Sequence, residues 1–552
     1  MIRKRLKDVV DACFYKGVQA GFWSDAGAGK FTVELPKHEG QGDFSTNIAL
    51  VLAGIEKKNP REIAGKIAEM LREETELIDH VDIAGPGFVN VRIRVDVWHR
   101  LLPEISREAS GFGRSDVGAG KRVMVEFVSA NPTGPLSIGH GRQAILGDAI
   151  ARLLTATGHN VYREYYYNDA GRQMRVLGES TRARYLELIS EKSNFPEDGY
   201  QGEYIIEIAR SLVEQNDDGL KNHEDVTPFK EAAEKFIFKD ISSTLERLGV
   251  VFDNYFNEHS LYENGQIDDV VAELKALGHV YEKDDAVWFR TTTFGHEKDR
   301  VIIKSSGEPT YRLPDIAYHR EKFRRNFDWL VDIFGSDHIA TVPDVLAGVK
   351  GLGYDPENVS VVLHQFVTLT RDGKQVKMST RRANFVTVDE LLDEVGVDPV
   401  RFFFMMRKAD SQLEFDLDLA TKESQENPVY YVQYAHARLC AIQRQAEEKE
   451  IVLTELSEEH LQLLQEPEEL MLLKTLSTFP ATIENCALEL SPHKVIFYLI
   501  ELAGQIHSYY NKHKVITDNL PLAAGRLQLV SALRIVLKNG LDILGLTAPE
   551  RM

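Results

Sequence analysis

Residues 121–158 read KRVMVEFVSANPTGPLSIGHGRQAILGDAIARLLTATG. The opening run is rich in β-branched and large apolar residues, the middle is broken by Ser129, Asn131, Pro132, Gly134 and Pro135, and the remainder is apolar at helical spacing. Ile145 with Ala149, Leu146 with Ile150, and Ile150 with Leu154 are four apart and share a face, and Gly158 is a natural stop. The stretch predicts strand, loop, helix. A helix that starts between glycines after a strand turns bare N–H groups and the positive end of its dipole toward its mouth, which suits a phosphate. His140, between Gly139 and Gly141, can add a ring donor while the glycines clear space for an adenosine. Glu126 stands inside the apolar strand, where a carboxylate is costly unless a cation meets it. Taken singly, the histidine could be a cap and the glutamate could face solvent. Together they point to a nucleotide site.

ANPTGPLSIGH at 130–140 resembles the nucleotide-binding motif of class I aminoacyl-tRNA synthetases, and the flanking VEFVSANPTGPL resembles its arginyl-tRNA synthetase form. The family motif usually reads His-Ile-Gly-His. Here Ser137 holds the first position, while the second histidine is kept. The resemblance implies a Rossmann-like α/β catalytic domain that binds ATP through Ser137, Gly139, His140 and Gly141, with His140 catalytic. A second stretch, RDGKQVKMSTRRANFVT at 371–387, resembles the family's Lys-Met-Ser-Lys loop at Lys377, Met378 and Ser379, with Thr380 in place of the second lysine. It implies that Lys377 steadies charge building on the phosphates in the transition state, with Ser379 catalytic and Met378 in the ATP site. Members lacking this loop carry a lysine ahead of the histidine motif; Gly134 occupies that place here, consistent with Lys377 doing the work.

PTYRLPD at 309–315 leads into the helical IAYHREKFRRNF. Pro314 suits a first helical turn and Asp315 a helix start, which alone accounts for the acid. The resemblance adds that Glu126, Tyr311 and Asp315 match the positions that grip the substrate guanidinium, and Asn131 the one that holds its α-amino group. A planar five-donor cation is best read by carboxylates accepting in its plane, with a phenol for the remaining donor; lysine would leave an acid unpaired. WLVDIF reads as a strand ending in GSDHIATVPDV, so Asp337 and His338 fall at a carboxyl end, where open α/β sheets seat ligands. The segment is similar to the family's Gly-Ala-Asp-His, and His338 joins the arginine set.

The 552 residues leave room for about three domains, and 43% hydrophobic with 27% charged residues exclude disordered and fibrous classes. No apolar run reads as membrane-spanning, and MIRKRLKDVVDACF looks like an amphipathic helix rather than a secretion signal, so a cytoplasmic protein with no membrane partner is expected. Cys13, Cys440 and Cys486 lie far apart, arguing against disulfides and structural zinc; no protein-bound metal is expected. A net charge of −20 speaks against nucleic acid, although phosphate binding depends on local Lys/Arg clustering.

Residues 1–110 read as an N-terminal α+β domain. GDFSTN at 42–47 and GPGFVN at 85–90 resemble the module that contacts the elbow of tRNA, with Phe88 and Asn90 matching as base-stacking and hydrogen-bonding candidates. Residues 111–120 read as a linker, and 120–390 as the catalytic domain. VYREYYYNDAGRQM is its second strand, where Tyr165, Tyr166 and Tyr167 could stack on a base but read better as buried strand tyrosines, and about 180–300 is an insertion without chemistry. From 391 to 552 the spacing is helical almost throughout. A dimerisation bundle is one reading; the resemblance implies an anticodon-binding domain, with Ser531-Ala532-Leu533-Arg534 in place of the family's Asp-Ala-Leu-Arg. Tyr430 and Tyr434, with Tyr431, Tyr509 and Tyr510, are candidates to stack on anticodon bases, most of them expected in the core.

The resemblance, spanning essentially the whole chain, implies activation of L-arginine by ATP with Mg²⁺ as substrate, then transfer to the 3′-terminal ribose of tRNA(Arg), by a monomer. The competing readings are a class I synthetase for another amino acid, a small nucleotidyltransferase, and a non-catalytic tRNA-binding paralogue in which Ser137 reports lost activity.

Overall fold

The computed structural model describes residues 2–36, 38, 40–376, 386–449 and 457–552. At its centre lies a parallel sheet of β1 (Arg122–Glu126), β2 (Asn160–Tyr167), β3 (Asn254–Asn257), β4 (Trp329–Gly335) and β5 (Val359–His364), in the spatial order β5-β4-β1-β2-β3. Val123, Met124, Val125, Leu330, Val331 and Ile333 are fully buried, as strands covered on both faces require. The order reverses between β1 and β4, and a crevice opens beyond the carboxyl ends of strands at such a switch point. Helix α1 (Ile138–Ala156) follows β1 and packs on it at Gly147, where a Cβ would sit 2.2 Å from the Phe127 ring. Helix α2 (Arg312–Arg324) precedes β4.

Ahead of this unit, a four-stranded antiparallel sheet packs with the helices Ile2–Gln19, Ile48–Glu56 and Pro60–Arg72. Asn59 starts the last of these by accepting the Arg61 N–H on its side chain, with Pro60 at the first helical position. Behind it, Pro428–Glu448, Pro467–Leu488, His493–Lys512 and Leu520–Ile543 form a helical bundle.

Three expectations are corrected. The stretch 111–120 is packed down rather than a free linker: Phe112 is fully buried against the Phe479 ring, and Asn539 donates to the carbonyls of Ala109 and Phe112 at 2.8 and 2.9 Å. The interval 180–300 is not all insertion, because β3 pairs with β2 as an edge of the central sheet. Leu520–Ile543 is long and apolar enough by composition to cross a membrane, contrary to the reading that no run reaches that length. Most of its apolar stretch is buried inside the bundle, where Arg526 pairs with Glu469 at 2.8 Å.

Candidate functional site

A cavity of about 860 Å³ opens where β1 and β4 end. It gathers Glu126, Asn131, Ser137, Gly139 and His140 from the first stretch, Tyr311 and Asp315 from around the start of α2, and Asp337 and His338 from beyond β4. Beyond Glu126 the chain turns through two consecutive left-handed residues, Val128 (φ 68°) and Ser129 (φ 43°). That conformation costs about 1–2 kcal/mol for each L-residue, so neighbours must hold it. Ser129 does so: its hydroxyl donates to Glu126 at 3.1 Å and accepts the Tyr166 N–H at 3.2 Å. The turn delivers Asn131, whose side-chain oxygen accepts the Asn168 N–H at 2.9 Å and whose amide donates to Gln173 at 3.2 Å.

The floor is a buried charge cluster. Glu126 and Asp332 face each other in register across β1 and β4, and the ammonium of fully buried Lys322 lies between them, donating to both. The cation that Glu126 requires is thus supplied by the chain itself. Burial opposes the charge on Asp332, yet Lys322 and His319 hold its carboxyl well below the usual range. His319 Nδ1 lies 2.7 Å from the Asp315 carbonyl and Nε2 2.9 Å from the Asp332 carboxylate. Asp315 itself faces the cavity. Burial pushes its carboxyl up to about 7, opposed by His319 and reinforced by the carboxylates of Glu258 and Glu126. Glu258, at the end of β3, lines the same space and accepts from the Tyr166 hydroxyl at 2.7 Å and the Asn168 amide at 2.8 Å. Tyr311 is 58% exposed at the rim, the Arg312 guanidinium 4.8 Å from its ring centre. His338 is also exposed, stacked on Phe334.

At the mouth of α1, Ser137 is the cap: its side chain accepts the His140 N–H, and His140 Nδ1 accepts the Ser137 N–H at 3.3 Å. Burial lowers the proton affinity of His140, partly offset by Asp337. Gly139 is open, with only Ser137 Oγ near a Cβ placed there. Gly141 departs from expectation: a Cβ would fall 2.8 Å from Val388, so this glycine serves packing against the helix Val388–Val395 rather than room for adenosine. Lys377, Met378 and Ser379 lie outside the described residues.

The RNA-facing candidates sit elsewhere. Phe88, 36% exposed, and buried Asn90 line a groove on the N-terminal sheet with Ser45 and Asn47. The rings of Tyr430 and Tyr434 stack 5.9 Å apart, both half-buried, and Tyr510 is exposed under the Arg438 guanidinium. Of the five tyrosines only Tyr509 is in the core, so the expectation that most would be buried is corrected.

Sequence reading missed Glu258, Gln143, His319, Lys322 and Asp332, and Tyr166, expected as a buried strand tyrosine, is half-buried and lines the cavity. His319 and Lys322 had a signal, since they follow Asp315 by four and seven and share its helical face. Asn254–Asn257 is followed directly by the acid Glu258, as a strand feeding a site can be, but four residues between long helices are too short to stand out.

Three family profiles match the chain: "Arginyl tRNA synthetase N terminal domain" over residues 1–93, "tRNA synthetases class I (R), catalytic domain" over 108–402, and "DALR anticodon binding domain" over 432–552. The arginine–tRNA ligase of Desulfotalea psychrophila is 72% identical over 552 residues, covering 100% of both chains. That of Salinibacter ruber is 48% identical over 538 residues, covering 94% of this chain and 95% of its own. Among solved structures, Thermus thermophilus arginyl-tRNA synthetase aligns over 100% of both chains with a TM-score of 0.77 at 23% identity, a likeness of fold.

Proposed function

The chain belongs to the arginyl-tRNA synthetase family of class I, and from that premise we propose how its cavity performs the reaction. It is an arginine–tRNA ligase, with ATP, arginine and tRNA(Arg) as its reactants. ATP binds at the mouth of α1, accompanied by Mg²⁺ that belongs to the substrate. Its phosphates take the free N–H groups of the helix start and the Nε2–H of His140, Gly139 leaving room for the approach. The guanidinium enters toward Asp315, with Tyr311 at the rim and Glu258 beside it. Glu126, already paired with Lys322, offers its remaining acceptor capacity from the floor. Asn131 and His338 orient the amino-acid end.

The arginine carboxylate oxygen then attacks the α-phosphorus, forming a P–O bond as the bond to pyrophosphate breaks. A terminal ribose hydroxyl of tRNA attacks the carbonyl next, forming the ester as the bond from the carbonyl carbon to the phosphate oxygen breaks, and the hydroxyl proton passes to the phosphate of the departing AMP. Neither step needs a covalent enzyme intermediate or a protein general base; orientation and stabilised phosphate charge suffice. The family likeness supports Lys377, with Ser379 and Met378, as the second phosphate-side group. Phe88 and Asn90, and Tyr430 and Tyr434, are proposed contacts for the tRNA elbow and anticodon.

One observation carries this reading: acids and a phenol from distant parts of the chain share one cavity with the mouth of α1. ATP–pyrophosphate exchange, run with tRNA(Arg) and each amino acid in turn, tests it. Exchange with arginine and not lysine is expected; exchange driven by lysine, or none, rejects it.

A further inference from the structure

Ser137 stands where the family motif usually carries histidine, and the structure gives it a definite task. It caps α1 with φ −75° and ψ 163°, its side-chain oxygen 3.5 Å from the His140 N–H. The reciprocal bonds fall on a single atom, because the Ser137 N–H donates to His140 Nδ1 at 3.3 Å and the Ser137 hydroxyl lies 3.2 Å from the same nitrogen. A ring nitrogen that accepts carries no hydrogen, so in the neutral imidazole the hydrogen sits on Nε2. The anchor is itself braced: Ser137 bridges to Thr387, the Val388 N–H donates to the Leu136 carbonyl at 2.9 Å, and Thr387 caps its own helix with Glu390.

We propose that Ser137 is a positioning residue for the adenylation step, its hydroxyl and N–H holding His140 as the Nε2–H tautomer whose free hydrogen is presented to the ATP phosphates. This rests on the reading that His140 contacts ATP. Burial keeps the ring neutral near pH 7. Among the described residues, the titratable groups around it are Asp337 beyond β4 and His364 at the end of β5, with Arg142 beside the latter, and none of these bonds to Nδ1.

A cap alone and a tautomer lock are separated by Ser137→Asp, since aspartate caps helices as well as serine but only accepts hydrogen bonds. The backbone N–H of residue 137 stays in every variant at its long 3.3 Å contact, but a charge-assisted bond to the carboxylate is the stronger, so the neutral ring turns its hydrogen to Nδ1 and empties Nε2, whereas the doubly protonated ring keeps a hydrogen on both. Arginine- and tRNA-dependent pyrophosphate exchange is therefore measured from pH 6 to 9 for wild type, Ser137→Asp, Ser137→Thr and His140→Asn, with the Tm of each. Ser137→Asp is expected to keep its Tm, to fall about tenfold or more below wild type in kcat at pH 8, and to recover toward pH 6. Ser137→Thr, whatever its rate, keeps the shape of the wild-type pH dependence. A Ser137→Asp profile parallel to wild type, whether at full or reduced rate, or a Thr variant that behaves like Asp, overturns the proposal. Undiminished kcat in His140→Asn instead removes the reading beneath it.

Discussion

Burial holds the Asp315 carboxyl up to about 7, against 3.8 for a free aspartate. Between about pH 4 and pH 7 the folded protein therefore keeps a proton that the unfolded chain has lost. By linkage this group's contribution to stability falls as pH rises through that window and is lowest above it. A guanidinium needs the ionised acid, so with the contact proposed for Asp315 arginine must expel the proton below about pH 7. The KM for arginine should rise toward about tenfold per pH unit on the acid side and stay level above pH 8, with the KM for ATP much flatter. A KM for arginine that is flat from pH 6 to 8 would show that Asp315 does not meet the substrate. Lys322 carries the opposite burden. Its removal leaves Glu126 and Asp332 buried side by side without their cation, and Lys322→Ala should lose about 3–5 kcal/mol in urea denaturation. A loss under about 1 kcal/mol would mean that the two acids find another partner.

The element that organises the site is α1, pinned at three points. Ser137 and His140 cap its start, Arg142 donates from its first turns to the carbonyls of Gln365, Lys408 and Ser411, and Gly147 lets it settle on Phe127. A methyl group at 147 would overlap that ring, so Gly147→Ala should cost about 1–3 kcal/mol of stability and lower kcat by moving the helix mouth. An unchanged Tm would contradict the close approach. Strand, loop and helix were readable at this level because β1 is a short apolar run and α1 an apolar one at spacing four. The left-handed turn at Val128 and Ser129 was not: neither residue favours that conformation, and tertiary hydrogen bonds hold it. The same limit hid β3, an edge strand recognisable only by its pairing with β2.

Across the whole molecule, three regions close on one another. Buried Arg401 donates to Asp148 of α1, to the Leu248 carbonyl and to the Leu544 carbonyl in the bundle, while His99 reaches the Leu464 carbonyl. These contacts tie the central sheet unit, the N-terminal region and the bundle together through buried hydrogen bonds. What was legible at this scale were motifs, since resemblance alone singles out Glu126, Tyr311 and Asp315, which the fold brings to the lining of one cavity. The charge balance was not. Glu126 requires a cation by its place in the apolar strand, and its first partner is Lys322, 196 residues away in the chain. With Glu126 so occupied, the proposed guanidinium contact falls chiefly on the Asp315 carboxylate. The direct measurement is the KM for arginine and for ATP in Asp315→Asn, by pyrophosphate exchange with tRNA(Arg) present. A rise of about 100-fold or more for arginine, with ATP within about threefold, is predicted; equal changes in both would reduce Asp315 to a helix-start residue and leave the pocket without its reader.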